Sequence, residues 1–120
     1  MEQVNDVTVR FERDEEIDRE QLKVALPATI VVGLISPKEF GGERRTELTF
    51  EEATGEHIEK INKAGNERAQ HEVAMRVIGE CCGLGPNEVK ALGGRDIARL
   101  SDVLGYFLGS ESAPTDSAGR

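Results

Sequence analysis

The amino-acid sequence predicts an α+β fold, in which an N-terminal β-hairpin is followed by a small bundle of three to four α-helices. Residues 29–35 are rich in β-branched side chains, which favour strands, and residues 46–50 alternate polar and apolar side chains as a returning strand does. From residue 54 onward, apolar residues recur every three to four positions, as on the buried face of a helix. Aromatic residues make up only 4% of the chain, so the core must be aliphatic.

The stretch before the hairpin has a weaker pattern. Val7, Val9 and Phe11 alternate with polar residues, which indicates a short strand. Residues 15–25 could form one or two helical turns. We therefore expect residues 1–27 to be an acidic, partly ordered leader.

The length of 120 residues allows one domain with a modest core. We expect this domain, the hairpin and its helices, to occupy residues 28–108. Residues 109–120 are small and polar and contain no core-forming side chains, so they should be a disordered tail.

The expected hairpin is bounded by residues that interrupt strands. Pro37 should end the first strand, because proline cannot donate a hydrogen bond to a neighbouring strand. Gly41 and Gly42 provide the turn. An isolated hairpin is only marginally stable in water, so this one should pack against the helices or against a second copy of the chain. The sequence is therefore compatible with a homo-oligomer.

Capping residues divide the helical region. Thr54 and Asn66 can cap the first two helices, because their side-chain oxygens accept hydrogen bonds from backbone N–H groups. Gly83 should end the second helix, and Pro86 should begin the next one in its first turn. The last helix has one broad apolar face, which comprises Ile97, Leu100, Val103, Leu104, Phe107 and Leu108.

The charge of the chain limits its partners. The sequence has 23 acidic and 15 basic residues, which gives a net charge of -8, and such a surface repels phosphate backbones and anionic lipids. Basic spots such as Arg95 and Arg99 are too few for a nucleic-acid surface. No segment has the roughly 20 apolar residues of a membrane span, and the N-terminus lacks the pattern of a secretory signal. We expect a cytoplasmic protein that binds neither nucleic acid nor membrane.

Few residues could carry out chemistry. His57 and His71 lack the close helical spacing of a zinc motif, and we expect both to be exposed. The adjacent Cys81 and Cys82 lie on or near an apolar helical stripe, where we expect them to pack rather than react. The glycine-rich steps between helices lack the lysine and hydroxyl of a phosphate-binding loop. We therefore expect no catalytic residue, no cofactor and no metal ion.

Apolar surface is the remaining feature of interest. The strand over residues 29–35 is apolar on both faces, so side chains such as Val31 and Ile35 must be covered by this chain or by a partner. Tyr106 lies at the edge of the apolar face of the last helix, next to Phe107. An exposed tyrosine is often an ordinary surface residue, although tyrosine is enriched in interfaces. Val31, Ile35, Tyr106 and Phe107 are the candidates for partner contacts.

The order of several short motifs resembles that of the tail assembly chaperones of Mu-like and related contractile-tail phages. That family has a Leu-x-x-Pro segment, a glycine turn and a strand, then a Gly-Leu step, a Pro-x-Glu-Val helix start, a Leu-x-x-x-Asp motif and a late Phe-Leu pair. The corresponding residues are 34–37, 41–42, 48–50, 83–84, 86–89, 92–96 and 107–108. The resemblance covers about two-thirds of the chain.

The resemblance implies a non-enzymatic protein of the tail assembly pathway. Such proteins coat the tape measure protein, a long helical rod, before the tail tube polymerises around it. They then leave and are absent from the finished virion. By this resemblance, the chain would bind the tape measure protein and other tail proteins in the host cytoplasm and keep the tape measure protein soluble.

Two other binding functions fit the same residues. A small structural protein of the phage tail could have this acidic α+β fold and stay in the particle, where mass spectrometry of virions would detect it. An acidic regulator could bind a DNA-binding protein or mimic DNA, which a gel-shift competition assay would reveal.

Overall fold

The computed structural model describes residues 7–109 of the chain. The order of elements in this range is β1 (Thr8–Phe11), α1 (Arg19–Ala25), β2 (Thr29–Phe40), β3 (Glu43–Glu51), α2 (Gly55–Lys63), α3 (Glu67–Cys82), α4 (Pro86–Ala91) and α5 (Gly94–Leu108). The α+β prediction is confirmed, with four of these helices after the hairpin. The start of the predicted leader, residues 1–6, and the predicted tail from residue 110 lie outside the described residues. None of the helices within residues 7–109 is long and apolar enough to cross a membrane.

The sheet has β2 as its central strand, in the order β1-β2-β3. β1 runs parallel to β2, whereas β2 and β3 are antiparallel and form the predicted hairpin around Gly41 and Gly42. Ile30, Val32 and Phe50 are fully buried in the core. Because side chains alternate along a strand, Val31, which lies between Ile30 and Val32, points to the opposite face of the sheet.

The expectation that Pro37 ends the first strand is wrong, because β2 continues to Phe40. Pairing with β3 stops after Gly33 and resumes at Lys38 with a shifted register. Pro37 lies in this interruption, where no ladder hydrogen bond is required from it. The proline is therefore accommodated by a bulge within a longer strand.

The predicted helix boundaries are confirmed. Thr54 caps α2, and the Asn66 side chain accepts a hydrogen bond of 2.8 Å from the N–H group of Ala69 at the start of α3. Gly83 follows α3 in the left-handed conformation, with a φ of 75°, and Pro86 is the first residue of α4. These boundaries follow from local hydrogen bonds and backbone preferences.

The core is mostly aliphatic, as expected, although Phe11 and Phe50 are also buried in it, and it includes side chains from the sheet and from α3, α4 and α5. Its most buried members include Ile30, Val32, Leu34, Leu48, Val77, Ile78, Val89, Leu100 and Val103. The elements before the hairpin also contribute, since Phe11 of β1 and Leu22 of α1 are buried. The predicted short strand and helical turns in this part of the chain are thus present and packed.

Candidate partner-binding site

A buried carboxylate lies at the start of α5, beside the bulge in β2. Asp96 has no exposed surface. Its two oxygens accept hydrogen bonds from the backbone N–H groups of Ile35 and Ser36, at 2.8 and 3.0 Å. Both amides lie where pairing between β2 and β3 is interrupted. Asp96 therefore supplies acceptors for backbone groups of the bulge, which must be satisfied when they are buried.

Arg99, one turn further along α5, connects three parts of the chain. Its guanidinium donates to the carbonyl oxygen of Gly33 in β2, and to those of Glu12 and Glu15 in the segment before α1, at 2.7 and 3.0 Å for the latter two. It also lies 3.5 Å from the carboxylate of Asp96. Because backbone groups occupy both charged side chains, the pair acts as a structural cluster that fixes the bulge and the segment before α1.

The cluster brings together two of the motifs that the sequence analysis singled out, residues 34–37 and residues 92–96. Arg99 is buried, so its interpretation as a surface basic spot was wrong. A signal for this role exists in the sequence, because helical spacing places Asp96 on the same face as Leu100 and Val103. A carboxylate within an apolar face needs a buried partner.

The expectation that both histidines are exposed is wrong for His57, which is half-buried. Its Nδ1 accepts a hydrogen bond of 3.0 Å from the N–H group of Thr54, so its Nε2 carries the proton and donates to Glu80 at 3.0 Å. These contacts complete the cap of α2 and join α2 to α3. His71 is exposed, as expected. Within residues 7–109, no group of three or more His, Cys, Asp or Glu side chains could hold a metal ion.

Both cysteines are free and buried, as expected from the apolar stripe. Burial raises the pKa of the Cys81 thiol to about 11 and that of the Cys82 thiol to about 12, and the neighbouring Glu80 adds to the shift at Cys81. Both side chains are therefore protonated near neutral pH and pack as small apolar groups.

The two candidate contact residues of β2 lie in different surroundings. Val31 is only 7% exposed and points away from the core, on the face of the sheet where Arg10 of β1 forms an ion pair with Glu47 of β3. Ile35 is half-buried and lines an open cavity that it shares with Arg95 at the start of α5. Val31 is thus covered by its own sheet, whereas Ile35 borders solvent.

The two candidate contact residues of α5 lie together. The ring centroids of Tyr106 and Phe107 are 5.0 Å apart, and Phe107 also stacks on Phe50 at 5.6 Å. Both aromatic residues are half-buried, and they line a shallow cavity of about 450 Å³ with Leu26 and Glu52. Tyr106 is thus at the edge of the core, as predicted.

The four candidates do not form one continuous surface. Ile35 contacts the first turn of α5 through Asp96, whereas Tyr106 lies ten residues further along the same helix. At 1.5 Å per residue this separation is about 15 Å. The aromatic pair at the end of α5 shares its cavity with the exposed Leu26, which the sequence did not indicate.

The sequence matches the model of a known protein family. The family model described as "Phage tail assembly chaperone proteins, E, or 41 or 14" matches residues 31–109, which is more than half of the chain. The match runs from within β2 to the residue that ends α5, and it includes the buried cluster of Asp96 and Arg99. Neither the curated proteins nor the solved structures gave a match. The chain belongs to the family of phage tail assembly chaperones.

Proposed function

We propose that this chain binds the tape measure protein of its phage and keeps it soluble until the tail tube assembles. Membership of the tail assembly chaperone family is the observation that carries this proposal. The chain acts by binding alone, in the host cytoplasm, and leaves before the virion is complete.

The surface of the molecule supports reversible binding to apolar segments. A net charge of -8 keeps a small protein soluble, and the half-buried aromatic pair Tyr106 and Phe107 offers apolar contact area. A long helical protein with exposed apolar stripes aggregates unless those stripes are covered. An acidic protein that covers them with an apolar site prevents this aggregation and adds charge to the complex.

The reactive side chains support binding rather than catalysis. The carboxylate of Asp96 and the guanidinium of Arg99 bind backbone groups, and His57 completes a helix cap. Both thiols are buried and have raised pKa values. Each of these groups is thus engaged in maintaining the fold.

Co-expression with the tape measure protein from the same tail gene cluster tests the proposal. The tagged chain should shift the tape measure protein from the pellet to the supernatant and co-purify with it. A variant whose helical core is disrupted, Val77→Asp, is the matched control and should not do so, because Val77 is buried in α3. If the tape measure protein stays insoluble and nothing co-purifies with the folded chain, the proposal is wrong.

A further inference from the structure

Helix α2 has no buried side chain, although it is nine residues long. Each of the other helices within residues 7–109 has at least one side chain buried in the core. The apolar residues of α2, Ile58 and Ile61, are only half-buried. Because buried apolar area is the main favourable contribution to packing, α2 is held to the fold less firmly than the other helices.

Contacts with Glu80 of α3 hold α2 in place. One carboxylate oxygen of Glu80 lies 3.0 Å from Nε2 of His57 and 3.9 Å from Nζ of Lys60. Within residues 7–109, no other ion pair joins α2 to another element. Glu80 and Lys60 are both exposed, and water and salt screen contacts of this kind. A single surface carboxylate is therefore the polar anchor of the whole helix.

The thiol of Cys81 lies beneath the start of α2. Its Sγ atom is 3.9 Å from Nδ1 of His57, and the residue is only 5% exposed. Cys82 is buried as well, but its titratable neighbours are Cys81 and Arg45 of β3 rather than a residue of α2. Separation of α2 from α3 would therefore uncover the first thiol and leave the second one covered.

A helix as short as α2 depends on its docking to α3. Nine residues are too few for a stable helix in water, since the cost of the first turn is not recovered over so short a length. The hydrogen bonds of α2 therefore persist only while the helix is docked. When the contacts with α3 break, all turns of α2 should be lost together.

We propose that α2 is a strap that opens from α3 as one unit, with Glu80 as its anchor, while the rest of the described fold stays intact. In the open state, Ile58, Ile61 and the thiol of Cys81 reach solvent. This conformational device goes beyond the proposed function, because it concerns the chain alone and needs no partner. Its tests therefore leave the proposed function untouched.

Native-state hydrogen exchange, followed by NMR, measures the opening. The amides of residues 58–63 should share one protection factor, and it should be at least a hundredfold lower than that of Val77 and Ile78 in the buried part of α3. If the amides of α2 are protected as strongly as those of Val77 and Ile78, α2 opens only when the whole molecule unfolds, and the inference is wrong. Protection that decreases gradually towards one end would show fraying instead of a single unit, which also contradicts it.

Removal of the anchor tests the role of Glu80. Glu80→Ala should lower the protection factors of α2 at least fivefold and leave those of α5 unchanged. A thiol reagent followed over hours should label Cys81 at least fivefold faster than in the parent chain, with no change at Cys82. Glu72→Ala is the matched control, because Glu72 is an exposed glutamate of α3 without an ion pair in the described part of the chain, and it should change neither rate.

Thermal unfolding separates opening of the strap from a loss of global stability. Glu80→Ala and Glu72→Ala should melt within a few degrees of each other, since α2 contributes little buried area. A much lower melting temperature for Glu80→Ala would mean that the anchor stabilises the entire fold, and the inference is then wrong. Equal labelling of Cys81 in the two variants, or equal acceleration at Cys81 and Cys82 in Glu80→Ala, would overturn it as well.

Discussion

At the scale of single residues, the shape of the sheet depends on Asp96. A strand that contains a proline and a register shift has backbone amides that its neighbour cannot satisfy. The Asp96 carboxylate accepts from two of them, at Ile35 and Ser36, and Arg99 balances its charge. A buried carboxylate is tolerated when it is paired and hydrogen-bonded, as Asp96 is here.

Asp96→Ala should therefore destabilise the protein strongly. The substitution leaves two part-buried amides without acceptors and the buried Arg99 guanidinium without its counterion, and breaking such a buried pair costs about 3–5 kcal/mol. Urea unfolding measures this loss. Asp102→Ala is the control on the same helix, since Asp102 is exposed and should change the free energy of unfolding by less than about 1 kcal/mol. Similar losses for both variants would contradict the role of Asp96.

The two cysteines give a second prediction at this scale. Burial raises the pKa of Cys81 to about 11 and that of Cys82 to about 12, so the reactive thiolate is scarce at moderately alkaline pH. A colorimetric thiol reagent at about pH 8 should label neither cysteine in the native protein and both in denaturant. Unfolded thiols ionise near pH 8.5, so the free energy of unfolding should decrease as the pH rises above that value. Rapid labelling of the native protein would show that the thiols are accessible.

At the scale of elements, α3 and α4 pack closely because Gly79 lacks a side chain. A Cβ atom at this position would lie 2.7 Å from Val89 Cγ2 and 2.8 Å from the carbonyl oxygen of Leu84. The same helix carries the apolar stripe that contains Val77 and Ile78. The small residue therefore sets the distance between two helices of the family fold.

Gly79→Ala should destabilise the protein, although alanine favours helices. The clash with Val89 and the Leu84 carbonyl group should cost about 1–3 kcal/mol, as overpacking of cores does. Gly94→Ala is the matched control at the start of α5, where a Cβ atom meets no neighbour within 4 Å and alanine should be neutral or stabilising. Thermal unfolding of both variants tests the comparison. If Gly79→Ala melts at a higher temperature than the parent chain, the two helices are not in close contact.

Val77→Asp tests which face of α3 is buried. The Val77 side chain is almost fully buried, and an unpaired charge there costs several kcal/mol, so the variant should lose its cooperative unfolding transition. Gln70→Asp places the same side chain on the exposed face of the same helix and should remain folded. Circular dichroism during heating measures both. An unchanged transition in Val77→Asp would mean that the opposite face of α3 is buried.

At this scale, the sequence predicted the features that depend on interactions between nearby residues and missed those that depend on distant ones. The boundaries at Thr54, Asn66, Gly83 and Pro86 were predicted because each depends on a hydrogen bond or a backbone preference within a few residues. The end of the first strand was wrongly placed at Pro37. The continuation of β2 depends on acceptors from Asp96, which lies about 60 residues away. Helical spacing indicates that Asp96 needs a buried partner, but no local rule identifies β2 as that partner.

At the scale of the whole molecule, the sequence indicated the candidate site only in part. Tyr106 and Phe107 could be singled out because aromatic residues on an apolar helical face are visible as a pattern. Leu26, which lines the same cavity, could not, since no pattern of residue types indicates that a leucine follows α1 in the left-handed conformation. Val31 was selected for an apolar strand, but Arg10 and Glu47 pair across that face of the sheet.

The family fold and the N-terminal elements together form the molecule that we propose acts as a chaperone. The matched range contains the hairpin, the helices and the buried cluster, while β1 and α1 add a strand to the sheet and a helix against α5. The net charge of -8 opposes self-association of this molecule. Such a molecule should accompany its partner only while that partner is exposed.

Quantitative mass spectrometry at two stages of tail assembly tests this account most directly. The tape measure protein is purified from infected cells before the tube polymerises and again from finished virions, and the ratio of this chain to the tape measure protein is measured in each. We predict that the chain accompanies the early tape measure protein and is missing from virions. A constant ratio in both samples would contradict the account and identify the chain as a structural component of the tail.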